Sequence, residues 1–310
     1  MTKKRSRKNV APASGQSRLK ATSAEKKKLL QKAQARKSGG PSRLIWWISG
    51  TAATLGILFY FLVTGQGRNK VNLPGTLSCN ILLITLVTTR ADHLGCYGYP
   101  LAKTPNLDKL AQEGIRFSWV YCPAPLTLPS HSSIMTGLYP VRHGVRNNGH
   151  TLPSGIKTLA EILKGHGYST SAFVSSFSVD SRFGLDRGFD VYDDMFQPQL
   201  PFKTQNSERR AEETFSRFSR WLESHWSNKF FCWVHYYDPH LPYDPPSPYA
   251  EEFRSRLYDG EIAYMDYYVG AILERLKEKG IYEKTLIVIA GDHGDCLLYT
   301  SPSPRDRQKS

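Results

Sequence analysis

Three short runs of almost unbroken apolar residues set what this 310-residue chain can become. Residues 80–86 read Asn-Ile-Leu-Leu-Ile-Thr-Leu, 230–235 read Phe-Phe-Cys-Trp-Val-His and 285–290 read Thr-Leu-Ile-Val-Ile-Ala. None alternates apolar with polar residues, and branched and aromatic side chains dominate, so each predicts a strand buried on both faces. Helical patterns lie between them. Leu107, Leu110 and Ala111 share one side of 105–113, with Gly114 as the stop. A second helix is predicted over 158–164, and Ile262, Met265, Val269, Ile272 and Leu276 give 258–279 a core-facing stripe. Further strands are predicted near 115–121 and 168–174. Strands alternating with helices predict an α/β fold, a mostly parallel sheet with helices on both faces. Ligands of such sheets gather beyond the carboxyl ends of the strands.

The formal charge of +14 suggests nucleic acid until it is located. Fourteen of the 41 Lys and Arg residues lie within 1–43, together with Glu25 alone among the 27 acids, so the rest of the chain carries 27 basic and 26 acidic residues. The basicity belongs to a tail poor in large apolar residues, which predicts disorder over 1–43. Residues 44–64 then give 21 positions without a charge, the length of a membrane-spanning helix, with Trp46, Trp47 and Tyr60 suited to its ends. Basic residues before the span put the N-terminus in the cytoplasm and the downstream chain outside it, periplasmic in a bacterium. The lipid bilayer is the partner predicted through 44–64, and no nucleic acid is expected. Residues 65–76 read as a linker. The remaining 77–295 is long enough for one sizeable core. Cys79, Cys96, Cys122 and Cys232 lack the spacing of a metal site or a disulfide framework.

Residues 124–137, Ala-Pro-Leu-Thr-Leu-Pro-Ser-His-Ser-Ser-Ile-Met-Thr-Gly, read as an extended segment that delivers the Thr127 hydroxyl to a helix start. Leu128, preceding Pro129, is biased away from helical geometry. Pro129 suits a first turn, and Gly137 can end the helix. Backbone N–H groups and the positive end of the helix dipole would favour an alkoxide or an anion there. Polar clusters come directly after each of the three apolar strands: Val87-Thr-Thr-Arg90-Ala-Asp92-His93, His235-Tyr-Tyr-Asp238-Pro-His240, and Gly291-Asp292-His293-Gly294. Asp292 and His293 offer a carboxylate oxygen and an imidazole nitrogen side by side, a pair of ligands for a divalent cation. Taken singly, Asp292 could equally be a turn former and His240 a packed side chain; Arg90 could simply pair with a neighbouring acid. His93, His150, His166 and His225 read as ordinary residues.

These stretches together resemble the sulfatase family of the alkaline-phosphatase superfamily. The resemblance rests on Asn-Ile-Leu-Leu-Ile-Thr at 80–85, Arg-Ala-Asp-His-Leu-Gly-Cys-Tyr-Gly-Tyr at 90–99 and Thr-Pro-Asn-Leu-Asp-Lys-Leu-Ala at 104–111. It continues with Pro-Ser-His at 129–131, Thr-Gly-Leu-Tyr-Pro-Val-Arg-His-Gly at 136–144, Tyr-Asp-Pro-His at 237–240 and Gly-Asp-His-Gly at 291–294. It implies an alkaline-phosphatase-like fold, one or two divalent metal ions (Ca, Mg, Mn or Zn), and a phosphate- or sulfate-ester substrate. Carried over by position, Thr127 becomes the nucleophile and a metal ligand beside Asp292 and His293. His240 becomes a proton donor or substrate contact, Arg142 falls near the basic residue directed at the anion, and His131 joins the catalytic set.

Three departures qualify the resemblance. Sulfatases proper carry Cys or Ser followed by x-Pro-Ser-Arg, and oxidise the first residue to formylglycine; here the string is Thr127-Leu-Pro-Ser-His131, and threonine cannot form that aldehyde hydrate. A metal-activated threonine suits attack on phosphorus instead, and phosphoethanolamine-transferase relatives use one. Second, Val87 stands where the family has its first metal-binding Asp. The site is crippled, or Thr88 or Asp92 compensates, or the codon was misread. A non-catalytic relative that binds anions or glycans is the reading this substitution favours. Third, 296–310 resembles a translated sequencing adapter, with Asp295 at the junction in place of the family's usual Glu. The family continues beyond this point, so the chain is expected to be a fragment of the catalytic domain.

Overall fold

The computed structural model describes residues 79–196 and 208–295. The tail at 1–43, the 44–64 span, the linker and 296–310 lie outside those residues. Among the described residues no helix is long and apolar enough to cross a membrane.

Among the described residues five parallel strands form one sheet: β1 (Asn80–Leu86), β2 (Ser169–Val174), β3 (Val191–Asp193), β4 (Phe230–Tyr236) and β5 (Thr285–Gly291), in the order β3-β2-β4-β1-β5. The helices are α1 (Pro105–Glu113), α2 (Thr127–Thr136), α3 (Pro140–His143), α4 (Leu159–Gly165), α5 (Ala211–His225), α6 (Tyr249–Glu252) and α7 (Leu257–Glu278). β4 is buried along its whole length, and β1 nearly so, as their unbroken apolar sequences predict. Side chains alternate between the two faces. Leu82, Ile84 and Leu86, with Phe230, Cys232, Val234 and Tyr236, pack against Leu107 of α1, Phe218 and Leu222 of α5 and Ile262, Met265 and Val269 of α7. Leu83, Phe231 and Trp233 turn the other way, onto Leu128 and Met135 of α2 and Ala160 of α4. Each such side chain contributes about 1.5–3 kcal/mol when fully buried, so both helical layers are held to the sheet.

Local signals account for several boundaries. Thr158 caps α4 in a reciprocal box: its hydroxyl accepts the Glu161 N–H at 3.1 Å, while its own N–H reaches Glu161 Oε2 at 2.8 Å. Gly137 ends α2 in the left-handed region at φ 68°, where a Cβ would be strained. Residues 115–121, predicted as a strand, form none. They have no sheet neighbour among the described residues, and Phe117, Trp119 and Tyr121 are 66, 80 and 81% exposed. β5 also departs from its prediction of burial on both faces. β1 is its sheet neighbour among the described residues, and Leu286 and Val288 are 38 and 40% exposed. β3 and α5 are elements that the apolar runs do not announce, although Glu212 and Glu213 in the first turn of α5, and Phe218, Trp221 and Leu222 on its buried side, carry a helical signal. The four described cysteines are free.

Candidate active site

The site is built where β1, β4 and β5 end. Beyond β1 the chain turns through Thr88, whose φ of 53° is an outlier for a β-branched residue. Three hydrogen bonds hold it there. Its N–H donates to Asp292 Oδ1 at 2.9 Å, its hydroxyl donates to the Pro239 carbonyl at 2.6 Å, and its carbonyl accepts the Tyr258 hydroxyl at 2.7 Å. One strained residue thus joins the ends of all three strands. Gly291, at the end of β5, permits the approach, since a Cβ there would lie 3.2 Å from the Thr89 carbonyl oxygen.

Asp292 is fully buried. Its Oδ1 accepts N–H bonds from Thr88 and from His293, the latter at 2.7 Å, while Oδ2 is buried with no hydrogen-bond partner. His293 Nε2 lies 3.4 Å from that oxygen and 3.4 Å from Thr127 Oγ1. A buried carboxylate oxygen left without a donor, facing an imidazole nitrogen and a hydroxyl, is a donor set that fits a divalent cation. The set is small: among the described residues no group of three or more His, Cys, Asp or Glu side chains is gathered for a metal. Neither Thr88 nor Asp92, the two candidates to replace a carboxylate at Val87, completes it. The Thr88 hydroxyl is engaged by Pro239, and the Asp92 side chain, 64% exposed, is gripped by Arg90 at 2.7 and 2.9 Å. Val87 itself is fully buried, with its N–H donating to the Tyr236 carbonyl at 3.0 Å.

Thr127 is the first residue of α2, as its sequence context predicts, and is 4% exposed. The proline effect on Leu128 does not shift the helix start: Leu128 is helical, and the extended residue is Leu126, at φ −145° and ψ 137°. Ser130 ties the helix to the end of β5 by donating its hydroxyl proton to the Asp292 carbonyl at 2.6 Å. His131 lies fully buried beneath the same helix. Its Nδ1 donates to the Thr127 carbonyl at 2.8 Å, and its Nε2 accepts from Thr85 Oγ1 at 3.1 Å, which in turn accepts the Trp233 Nε1–H at 2.9 Å. Burial pulls the His131 pKa down despite Asp292 nearby, so the ring is a neutral brace under Thr127. His235 packs beside it with ring centroids 4.9 Å apart and the planes tilted by 56°; its Nδ1 accepts the Ser175 N–H, which places the proton on Nε2.

A cavity of about 610 Å³ opens beside Thr127 and is also lined by Asn148, Phe177, Glu208, Tyr237 and His240. His240 Nδ1 donates to the Leu241 carbonyl at 2.7 Å, and the ring stacks on Tyr237 at 4.4 Å, which leaves Nε2 to give or take a proton. Arg142 is exposed on α3 and is not among the residues lining the cavity. Asn148 belongs to none of the sequence motifs. Its Oδ1 accepts the Leu128 N–H at 3.0 Å, and it lines the cavity next to Thr127. Only the fold reveals this, because an Asn-Asn-Gly string reads locally as a turn. His93, ordinary by its sequence context, is a buried structural partner of Asp259 at 2.6 Å.

The parallel α/β sheet with helices on both faces is an alkaline-phosphatase-like fold. Solved structures share it: the phosphonate monoester hydrolase of Agrobacterium radiobacter (TM-score 0.61, 22% identity, 71% of this chain and 63% of that one) and an alkaline-phosphatase-superfamily protein from Vibrio parahaemolyticus (TM-score 0.57, 22% identity, 76% and 63%). At these identities the likeness concerns the fold. The Sulfatase family model matches residues 79–309, and the chain belongs to the sulfatase family. Relatives include an ulvan-active sulfatase of Formosa agariphila, 26% identical over 74% of this chain and 53% of that protein. Human N-acetylgalactosamine-6-sulfatase is 26% identical over 71% and 50%. The chain spans about half the length of these two relatives.

Proposed function

We propose that this chain belongs to a membrane-anchored, metal-dependent hydrolase of phosphate or sulfate esters in which Thr127 is the nucleophile. The observation that carries the reading is the meeting of Thr127 Oγ1, His293 Nε2 and the unpartnered Asp292 Oδ2, with 3.4 Å separations that join α2 to the end of β5. Asp292, His293 and Thr127 would hold the ion, which supplies charge neutralisation and a lowered pKa for a hydroxyl it touches. The chain's own groups do the rest. The brace from Trp233 through Thr85 and His131 fixes the backbone under Thr127, so that its oxygen meets the ester at a set position. Thr127 Oγ gives up its proton to solvent water and forms a bond to the central atom as the ester bond to the leaving oxygen breaks. His240 Nε2 protonates that oxygen. Water, or a second alcohol in a phosphoethanolamine-type transfer, then takes the group from Thr127.

Anchoring rests on the uncharged 44–64 run behind its basic flank, which supports an N-terminus in the cytoplasm and a site outside it. Release of p-nitrophenol from its phosphate and sulfate esters by the full-length protein tests the reaction. Wild type should turn over, Thr127→Ala should lose about 10³-fold or more, and Thr127→Ser should retain part. Equal rates for wild type and Thr127→Ala would overturn the nucleophile. Val87 favours a second reading, a relative that binds anionic esters or glycans without cleaving them; ester binding by calorimetry with no turnover in the presence of divalent ions would establish it.

A further inference from the structure

Below the hairpin that carries His240, residues 237–244, the chain buries carboxyl groups that the proposed reaction does not use. Asp238 Oδ1 accepts the N–H of Ala211, the first residue of α5, at 2.9 Å. Glu261, on α7 and 3% exposed, accepts the Asp244 N–H through Oε1 at 2.8 Å. The two carboxyls therefore grip the two ends of one hairpin. Their other oxygens, Asp238 Oδ2 and Glu261 Oε2, are buried without a hydrogen-bond partner, and so are the hydroxyls of Tyr236 and Tyr264. The Asp238 charge acts on Glu261, on Tyr236 and on Tyr264. Of the other groups acting on the two carboxyls, Arg210 favours their ionised forms but does not offset burial. Asp244, Glu208 and Glu212 add negative charge, Tyr268 is neutral, and Arg210 is spent on Asp244 at 2.9 Å in a pair whose side chains are 44 and 86% exposed.

A buried carboxylate with an oxygen that lacks a donor is costly to ionise, and the charge of a second buried carboxylate raises that cost further. We propose that the buried carboxyls of Asp238 and Glu261, each with one oxygen on a backbone N–H and the other without a partner, keep a proton on Glu261 in the native state and so form a buried latch that positions the His240 hairpin. The role of His240 rests on the function proposed above; the latch does not. Burial, reinforced by the opposing carboxyl, pushes Glu261 up to about 8, while burial moves Asp238 up to about 6. A carboxyl whose pKa is raised on folding binds its proton more tightly in the native state. Its stabilising share is therefore complete below the ordinary value of 4.5 and is lost as pH rises through about 8. Above that, two charges repel beneath the hairpin.

The test compares wild type and Glu261→Gln in the full-length chain. Glutamine keeps an oxygen for the Asp244 N–H and stays uncharged at every pH. The thermal midpoint of Glu261→Gln should exceed that of wild type by about 2–4 °C near pH 8, and the gap should close near about pH 5. Amide exchange at Asp244, followed at one fixed pH, should accelerate about 10-fold or more in Glu261→Ala and stay protected in Glu261→Gln. Both readouts should be unchanged in a Thr127→Ala background, so they stand or fall without the reaction. Parallel midpoint-against-pH curves, a Glu261→Gln protein less stable than wild type near about pH 8 (as a bound cation would give), or an unaffected Asp244 amide in Glu261→Ala would each overturn the latch.

Discussion

Asp292 on one side and Asp238 with Glu261 on the other each bury a carboxylate oxygen without a hydrogen-bond partner, and they differ in what surrounds it. Asp292 Oδ2 faces His293 Nε2 at 3.4 Å and His131 Nδ1 at 3.7 Å, with Thr127 Oγ1 beyond, at the edge of the cavity. Asp238 Oδ2 and Glu261 Oε2 are buried near α5 and α7, and the Asp238 charge acts on Glu261 and on the hydroxyls of Tyr236 and Tyr264. The first is a set of lone pairs open to an ion; the second is a set of acids that must keep a proton. An unsatisfied buried carboxylate is thus not a single signature. Its neighbours decide whether it calls for a cation or for hydrogen.

Four substitutions break or sharpen that contrast. The largest effect belongs to Thr127→Ala, which should lose about 10³-fold or more in ester turnover while its melting curve stays unchanged. Next is Asp292→Asn. Asparagine keeps Oδ1 for the Thr88 and His293 N–H groups but replaces Oδ2 by an amide nitrogen that does not ligate. A divalent ion at about a hundredfold its dissociation constant should stabilise wild type by about 2.7 kcal/mol in a thermal melt, and Asp292→Asn by none. Equal ion-dependent gains in both would move the ion elsewhere. Third is Val87→Asp. Burying a further carboxylate at this position should cost about 1–3 kcal/mol in chelator and reverse when a divalent ion is added, raising ion affinity above wild type. A loss that no ion rescues would show that position 87 does not reach the ion. The smallest effect is the gain of about 2–4 °C expected for Glu261→Gln near pH 8, where removing a charge stabilises, the reverse of Asp292→Asn under ion.

The two regions are not equally legible in the sequence. Asp292 and His293 come after an apolar strand, and Thr127 sits in a Pro/Ser-rich helix start, so their chemistry is announced by residue type and position. His131 can be singled out, but its place as a buried neutral brace depends on Thr85 and Trp233, which come from two other strands. Glu261 carries no such announcement. It lies within an amphipathic helix whose apolar stripe accounts for its neighbours, and its meeting with the hairpin is a contact across 17 residues and a turn. Asn148 is the same case on a smaller scale, a turn former by its string and a wall of the cavity by its fold. The failed strand at 115–121 marks the opposite error. Its pattern is strand-like, yet a strand needs a neighbour, and pattern cannot supply one.

By itself the sequence determined the parallel α/β class, the three strands that end in polar clusters, the helix that begins at Thr127, and, through Thr127-Leu-Pro-Ser-His131, that this sulfatase-family chain cannot make a formylglycine there. These are consequences of local periodicity and side-chain chemistry, which each segment carries with it. Only the tertiary structure decided that Asp292, His293 and Thr127 converge, that Asp92 turns out to solvent on Arg90, that β5 keeps one face exposed, and that Asp238 and Glu261 share one buried cluster. Those are distances between residues far apart in the chain, set by how the helices pack on the sheet and by which buried charges that packing brings together.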